Sequence, residues 1–266
     1  MTETNQTTTP NPTADKPKYD FPTEVIDLPS RGLVYPKDHP LSKGTVEIKY
    51  MTAREEDILS NQNLIKKGVA INKLFEAIIV DNIDVNDIVI GDKNAIILAT
   101  RLLAYGADYP MKFYSTVADD VLEAKVDLSK IQIKDIDYEQ LNNENRFEFE
   151  TPIGKNKLEF KLLTHGDEIA IEKDLNALQK VDKDSAAGIT TRMRYMILSV
   201  DGKNDVGTIN RYVNNMLARD SRAFREYARK LSPDLDMNFV YVHPDGDEEV
   251  VPILLGVNFF WPSEES

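Results

Sequence analysis

The sequence predicts an α+β fold of two similar lobes preceded by an extended arm. Three observations predict it. Stretches with helical apolar spacing and stretches that alternate at period two are grouped rather than interleaved strand by helix, which argues against a parallel α/β sheet. One order of elements (a strand, a helix capped by threonine, further helices, then a β-hairpin) occurs twice along the 266 residues. Turn sequences sit between alternating runs at Ala118-Asp119-Asp120, Pro152-Ile153-Gly154 and His243-Pro244-Asp245-Gly246, as hairpins require.

Residues 1–18 are Thr, Asn, Gln and Pro with a few charges; they cannot bury enough apolar surface to offset chain entropy, and the composition predicts a disordered tail. Residues 19–44 form the arm. Within it Pro29 and Pro36 hold Leu28 and Tyr35 out of the helical region, and Gly32 can supply the positive φ that ends a turn. Gly44 to Tyr50 alternates and reads as a strand. Thr52-Ala53-Arg54-Glu55 is a capping box that opens a helix to about Ser60. Leu64 to Gly68 is a short connector. Ile71, Leu74, Phe75, Ile78 and Ile79 place a second helix over 69–80. After a turn or short strand, Asp92 is positioned to cap a helix that stops at Gly106. Pro110–Thr116 and Leu122–Leu128 form the first lobe's hairpin, so that lobe covers residues 45–131.

A polar linker, 132–145, leads to a second lobe over 146–256. Arg146–Glu150 and Lys157–Leu162 alternate about Pro152-Ile153-Gly154. Thr164 opens a helix to about Gln179, Ser185 is placed to cap one that reaches Ser199, and further helices cover 206–218 and 222–231, the last stopped by Pro233. Met237–Val242 and Glu249–Leu254 make the closing hairpin. The two lobes align locally: Ile48-Lys49-Tyr50-Met51-Thr52 faces Phe160-Lys161-Leu162-Leu163-Thr164, and Tyr109–Phe113 faces Leu235–Phe239, at offsets of 112 and 126 residues. An internal duplication with a short insertion in the second copy explains both; convergence on one strand–cap–helix grammar is the alternative.

Net charge is −13 and the pI about 4.8, which excludes a general binder of nucleic acid or anionic membrane. There is no cysteine, so disulfides and thiolate metal sites are excluded. No apolar run approaches the ~20 residues that span a bilayer, and no basic-then-apolar leader opens the chain, so a protein made and used in a cytoplasm is expected. His39, His165 and His243 are far apart in sequence, no Gly-rich phosphate loop or nucleophile elbow is present, and the expectation is a non-enzyme with no cofactor and no metal. Arg222, Arg225, Arg229 and Lys230 share one predicted helix; they either make internal pairs with Glu226 or face an acidic partner or a phosphate backbone.

Two apolar stretches lie outside the repeated lobes. Leu28, Pro29, Arg31, Gly32 and Tyr35 belong to the arm, and Phe259, Phe260 and Trp261 to an aromatic C-terminal segment, 257–266. Each either packs on the chain's own core or anchors a partner. As candidate partner-binding residues, the two sets are expected to lie near each other and rim one surface.

The same stretches carry a resemblance. Leu28-Pro29-Ser30-Arg31-Gly32, then Thr52 to Glu56, then Arg101 with Tyr105-Gly106, then Phe259-Phe260-Trp261-Pro262 follow one another as in the base plate protein family of T-even-like contractile-tailed bacteriophages. The chain resembles that family over residues 25–262. The resemblance implies a part in baseplate hub assembly, as a hub subunit or an assembly chaperone, with other hub or tape-measure-associated proteins as partners. It also implies the host cytoplasm as the place of action during assembly, with the tail baseplate of the virion as a further location. A generic cytoplasmic adaptor or regulatory protein-binding module is the alternative. Family members often carry paired cysteines in their hairpins, at spacings that suggest zinc knuckles. The turns in question here, Ser115–Asp120 and His243–Gly246, have none, so no zinc is expected. The composition of the tail makes one outcome testable at once: limited proteolysis should cut within residues 1–18 before anywhere else, and a protected N-terminus would count against the disordered tail.

Overall fold

A computed structural model describes residues 21–181 and 187–261; the predicted tail 1–18 and the capping Ser185 lie outside the described residues. The fold is α+β, with eight α-helices among the described residues and four small antiparallel sheets. Among the described residues, no helix is long and apolar enough to cross a membrane.

The arm is less separate than its sequence suggests. It contains a strand, β1 (Thr23–Asp27), paired antiparallel with β2 (Thr45–Lys49). Between them residues 28–36 wind through three consecutive turns, closed by Arg31 N–H to Leu28 O, Leu33 N–H to Ser30 O and Tyr35 N–H to Gly32 O. Gly32 has φ +76°, and a Cβ there would stand 2.4 Å from the Ser42 carbonyl oxygen, so the turn demands glycine on both counts. The connection ends in a single 3₁₀ turn, Pro40–Lys43.

Thr52 caps α1 (Ala53–Ser60) with the reciprocal box that the sequence predicts. Burial alone would raise the Glu55 carboxyl, but the Thr52 hydroxyl and amide and the nearby Lys49 hold it below its ordinary value. The expected connector holds α2 (Gln62–Lys66), and α3 (Ala70–Ile78) follows with Leu74, Phe75 and Ile78 buried. Then comes α4 (Ile90–Tyr105), the most enclosed helix. It ends at Gly106 as expected, but Asp92 is not its cap. Val89 holds that position, without a side-chain bond, and Asp92 is the third helical residue.

The first hairpin is β3 (Asp108–Ser115) with β4 (Asp120–Asp127). The second, β5 (Phe147–Glu150) with β6 (Lys157–Phe160), gains a third strand. A helix to Ser199 is expected, yet α6 (Gly188–Met196) stops early and β7 (Ile197–Val200) pairs with β6. Its short run of apolar residues fits helix or strand equally, and the open edge of β6 decides. Before it lies α5 (His165–Val181); after it come α7 (Val206–Asn215), α8 (Ala218–Leu231), which starts four residues earlier than expected, and the closing hairpin β8 (Asn238–Val242) and β9 (Glu248–Pro252).

One continuous core runs through both halves and includes Leu28, Phe75, Ile96, Phe160, Phe224 and Phe259. Backbone bonds tie the halves directly: His165 N–H to Ile88 O at 2.7 Å and Ile90 N–H to Leu163 O at 3.1 Å. At the start of α4 a Cβ on Gly91 would sit 1.8 Å from the Pro233 carbonyl oxygen, so only glycine permits this approach.

Asp92 fastens the turn to α4. It is fully buried, and its Oδ1 accepts from the Ser30 amide at 2.9 Å. Its Oδ2 accepts from the Ser30 hydroxyl at 2.6 Å and from the Tyr35 hydroxyl at 2.7 Å, and that Tyr35 oxygen accepts in turn from the Val89 amide at 3.1 Å. Burial pushes the Asp92 carboxyl up to about 6, against these donors. Its folded value therefore exceeds the unfolded one, so the native state binds the proton more tightly. Its contribution to stability improves as pH falls through about 6 and is complete below about 4, a gain on the order of 2–3 kcal/mol. Urea unfolding at pH 7 and pH 4.5 should show wild type gaining on Asp92→Asn at the lower pH; the difference between the two proteins cancels every other titration. A difference that does not change with pH would refute this assignment.

Candidate partner interface

The candidate anchors from the sequence divide sharply by exposure. Leu28, Pro29 and Gly32 are buried, and Tyr35 is 3 % exposed. Phe259 and Phe260 are each 1 % exposed, and Trp261 is half-buried. Arg31 alone of the arm candidates is exposed, its guanidinium 3.7 Å from the centre of the Tyr138 ring. The side chains expected to rim a surface are therefore, for the most part, interior. The physical reason is that the core is not complete without them: the arm supplies β1 and the donors to Asp92, and Phe259 packs on Tyr109 with ring centres 5.0 Å apart.

Nor do the two sets lie together. The turn docks at Asp92, near the start of α4. The C-terminal aromatics gather around Tyr105, its last residue, whose hydroxyl is hydrogen-bonded to Trp261 and donates to Glu56 Oε1 at 2.5 Å. Thirteen residues of helix separate these points, about 20 Å. Burial and the Glu56 carboxylate push the Tyr105 hydroxyl up to about 12. Close by, Arg101 lies over the rings of Tyr105 and Tyr109 and donates to the carbonyls of Gly106 and Asp108 at 3.2 and 3.4 Å. A buried cation thus satisfies carbonyls left open at the helix end.

A second constellation escaped sequence reasoning. The tips of the first and last hairpins meet, and Glu249 clasps them. Its Oε2 accepts from the Ser115 hydroxyl at 2.6 Å and lies 3.1 Å from His243 Nε2, while Oε1 accepts from the Thr116 amide and hydroxyl, both at 2.9 Å. These donors, Ser115 first, pull the Glu249 carboxyl down to about 2. Two turns of the kind that the family resemblance associates with paired cysteines are here joined by a carboxylate, two hydroxyls and an imidazole. Among the described residues, no group of three His, Asp or Glu side chains is arranged to hold a metal ion.

A cavity of about 400 Å³ lies between α3, α4, α5 and residues 255–257. His165 lines it, 4 % exposed, and neither ring nitrogen has a hydrogen-bond partner in the protein. Burial, then the charge of Lys93, pushes this imidazole down to about 4, so it is neutral at pH 7. Lys93 itself is ion-paired to Glu168.

Exposed features remain as candidates for contact. The outward face of the last hairpin presents Val240, Val242 and Val250, with Leu254 beyond them, all more than half exposed. The outward face of the first carries the ion pairs Lys112–Glu123 and Lys125–Asp108 beside the exposed, cross-strand pair Tyr114 and Val121. On α8, Arg222, Arg225, Arg229 and Lys230 all face solvent, and the internal pairs with Glu226 do not form.

The burial pattern makes Tyr35 and Phe259 test positions for stability. Tyr35→Phe should cost about 1–3 kcal/mol, because it leaves the Val89 amide without its acceptor and removes a donor from Asp92. Phe259→Ala should cost about 3–5 kcal/mol. Both are read from chemical denaturation, and melting temperatures equal to wild type would return these residues to the surface. No family model, curated protein or solved structure matches the chain.

Proposed function

We propose that this chain is a non-enzymatic protein of bacteriophage tail assembly that acts in building the baseplate hub, as hub subunit or assembly chaperone, through contacts with other hub or tape-measure-associated proteins in the host cytoplasm. One observation carries the reading: the four motifs behind the family resemblance all converge on α4. Leu28–Gly32 docks through Ser30 on Asp92 at one end. At the other, Glu56 of the Thr52–Glu56 motif and Trp261 of the closing aromatics both bond to Tyr105, beside Arg101. Segments some 200 residues apart in sequence meet on one helix, which supports reading the four motifs as one set.

In the same reading the chain is a duplicated α+β unit. Local devices recur in support. Lys49, Thr52 and Glu55 form a cap with a lysine ion pair, and Lys161, Thr164 and Asp167, each 112 residues on, form another. Ile48 pairs with Ile79 just after α3, and its counterpart Phe160 pairs with Ile197 just after α6. Asp92, third in α4, accepts the amide after Pro29. Asp220, third in α8 and likewise buried, accepts the amide after Pro152, from Ile153 at 2.8 Å, and that of Gly154 at 2.9 Å.

The test is genetic and physical. In a phage that encodes this chain, a nonsense mutation in its gene should leave tails without baseplates in electron micrographs, and the tagged protein should capture hub or tape-measure proteins from infected cells. Normal contractile tails from the mutant would overturn the proposal.

A further inference from the structure

Helix α8 turns Asp220, Phe224, Ala228 and Leu231 into the core and presents Arg219, Arg222, Arg225, Arg229 and Lys230 to solvent. The three- and four-residue spacing of the four arginines puts them along one face, with Lys230 next to the last of them. The chain has 45 acidic residues to 32 Lys and Arg, yet no carboxylate among the described residues is within ion-pairing distance of any of the five. Glu226 sits among them and pairs with none. A row of unneutralised guanidinium groups repels itself, and such a row is stabilised by whatever brings negative charge to it.

The comparison with α4, which rests on the duplication proposed above, sharpens this. With Asp92 set against Asp220, Ile97 falls where α8 has Arg225 and Arg101 where it has Arg229. Ile97 is 1 % exposed, lining the cavity walled by α5 and Leu255. So the first lobe's helix is covered on this face by the second lobe, and the second lobe's helix is bare and basic on the same face.

We propose that this face of α8 docks an acidic polypeptide segment of a partner protein. Charge complementarity selects an acidic occupant. Its form follows from two further observations. Without these five cations the remaining chain carries −18, so a long polyanion such as duplex DNA would meet repulsion beyond the stripe, whereas a short segment lies within it. From Arg219 to Lys230 the stripe is about 16 Å long, matching about five residues of extended chain. At its C-terminal end it opens into a groove of about 380 Å³ whose lining includes Ile136, Tyr227 and Leu231 together with Lys134, Asp135 and Asp137. An apolar residue following the acidic run fits there.

The probe is a fluorescent peptide of five glutamates followed by leucine, titrated with the full-length protein at low and high salt. Wild type should bind it saturably, more weakly at high salt. The triple variant Arg222→Glu, Arg225→Glu, Arg229→Glu should bind about tenfold or more weakly. The triple Lys variant should retain binding, and both should keep the wild-type melting temperature, because these guanidinium groups make no hydrogen bond or ion pair within the described fold. Absence of saturable binding by wild type, or equal binding by the Glu variant, would overturn the proposal. So would preference for a short DNA duplex over the peptide, or self-association of wild type that the Glu variant abolishes, which would assign the face to nucleic acid or to a second copy. The assay reads α8 directly, so a negative result counts against this docking and leaves the hub and duplication readings to their own tests.

Discussion

A carboxylate with nowhere to go but inward holds the N-terminal half together. Pro29 directs the chain into a turn whose next amide, at Ser30, is buried and must find an acceptor. Asp92 supplies it from the first turn of α4, where a negative charge is also favoured by the helix dipole. Turn and helix fix each other: the turn satisfies the carboxylate, and the carboxylate satisfies the turn. Without this bond β1 would belong to an isolated two-stranded sheet, which is marginal in water. The burial that raises the Asp92 carboxyl to about 6 is therefore a cost built into the arrangement that seats the turn.

The opposite end of α4 uses the opposite sign. Arg101, buried, gives its guanidinium protons to carbonyls just past the helix and lies against two tyrosine rings. An anion near the start and a cation near the end both suit the macrodipole, and each also gathers chain from far away. The turn comes to Asp92, and Glu56 and Trp261 come to the Tyr105 that Arg101 covers. That is why α4 can be enclosed on nearly all sides while still carrying charged residues.

Much of this was legible in the sequence, and the failures are instructive. Caps and hairpins were readable because their determinants are local: Thr52 with Glu55, Thr164 with Asp167, and the turns at Asp119 and Gly246. What required tertiary contact was not. Ile197–Val200 becomes a strand only because β6 offers an edge. Asp92 has the composition of a helix cap but a role set by Ser30 and Tyr35, 62 and 57 residues away. The arm and the C-terminal aromatics look like surface anchors because they fall outside the proposed repeat, yet residues of both stretches belong to the core. Glu249 is one acid among many in so acidic a chain; nothing local distinguishes the one that closes two hairpin tips.

The two halves, built with the same devices, do not end in the same surface. On the proposed duplication, the first unit's long helix is covered by the second unit, while the second unit has no third to cover it. A heterologous contact of this kind does not close on itself after two copies; it leaves one used face and one free. Evolution can treat the free face in two ways, by making it inert or by giving it a specificity of its own. An inert face in an acidic protein would carry mixed charges paired within the helix. Arg222, Arg225 and Arg229 are of one sign and unpaired, and Glu226 between them does not neutralise them. On the first hairpin's outward face, by contrast, the same chain neutralises its charges in pairs, Lys112–Glu123 and Lys125–Asp108. The contrast between these two faces is the strongest physical reason to treat α8 as an unfinished contact.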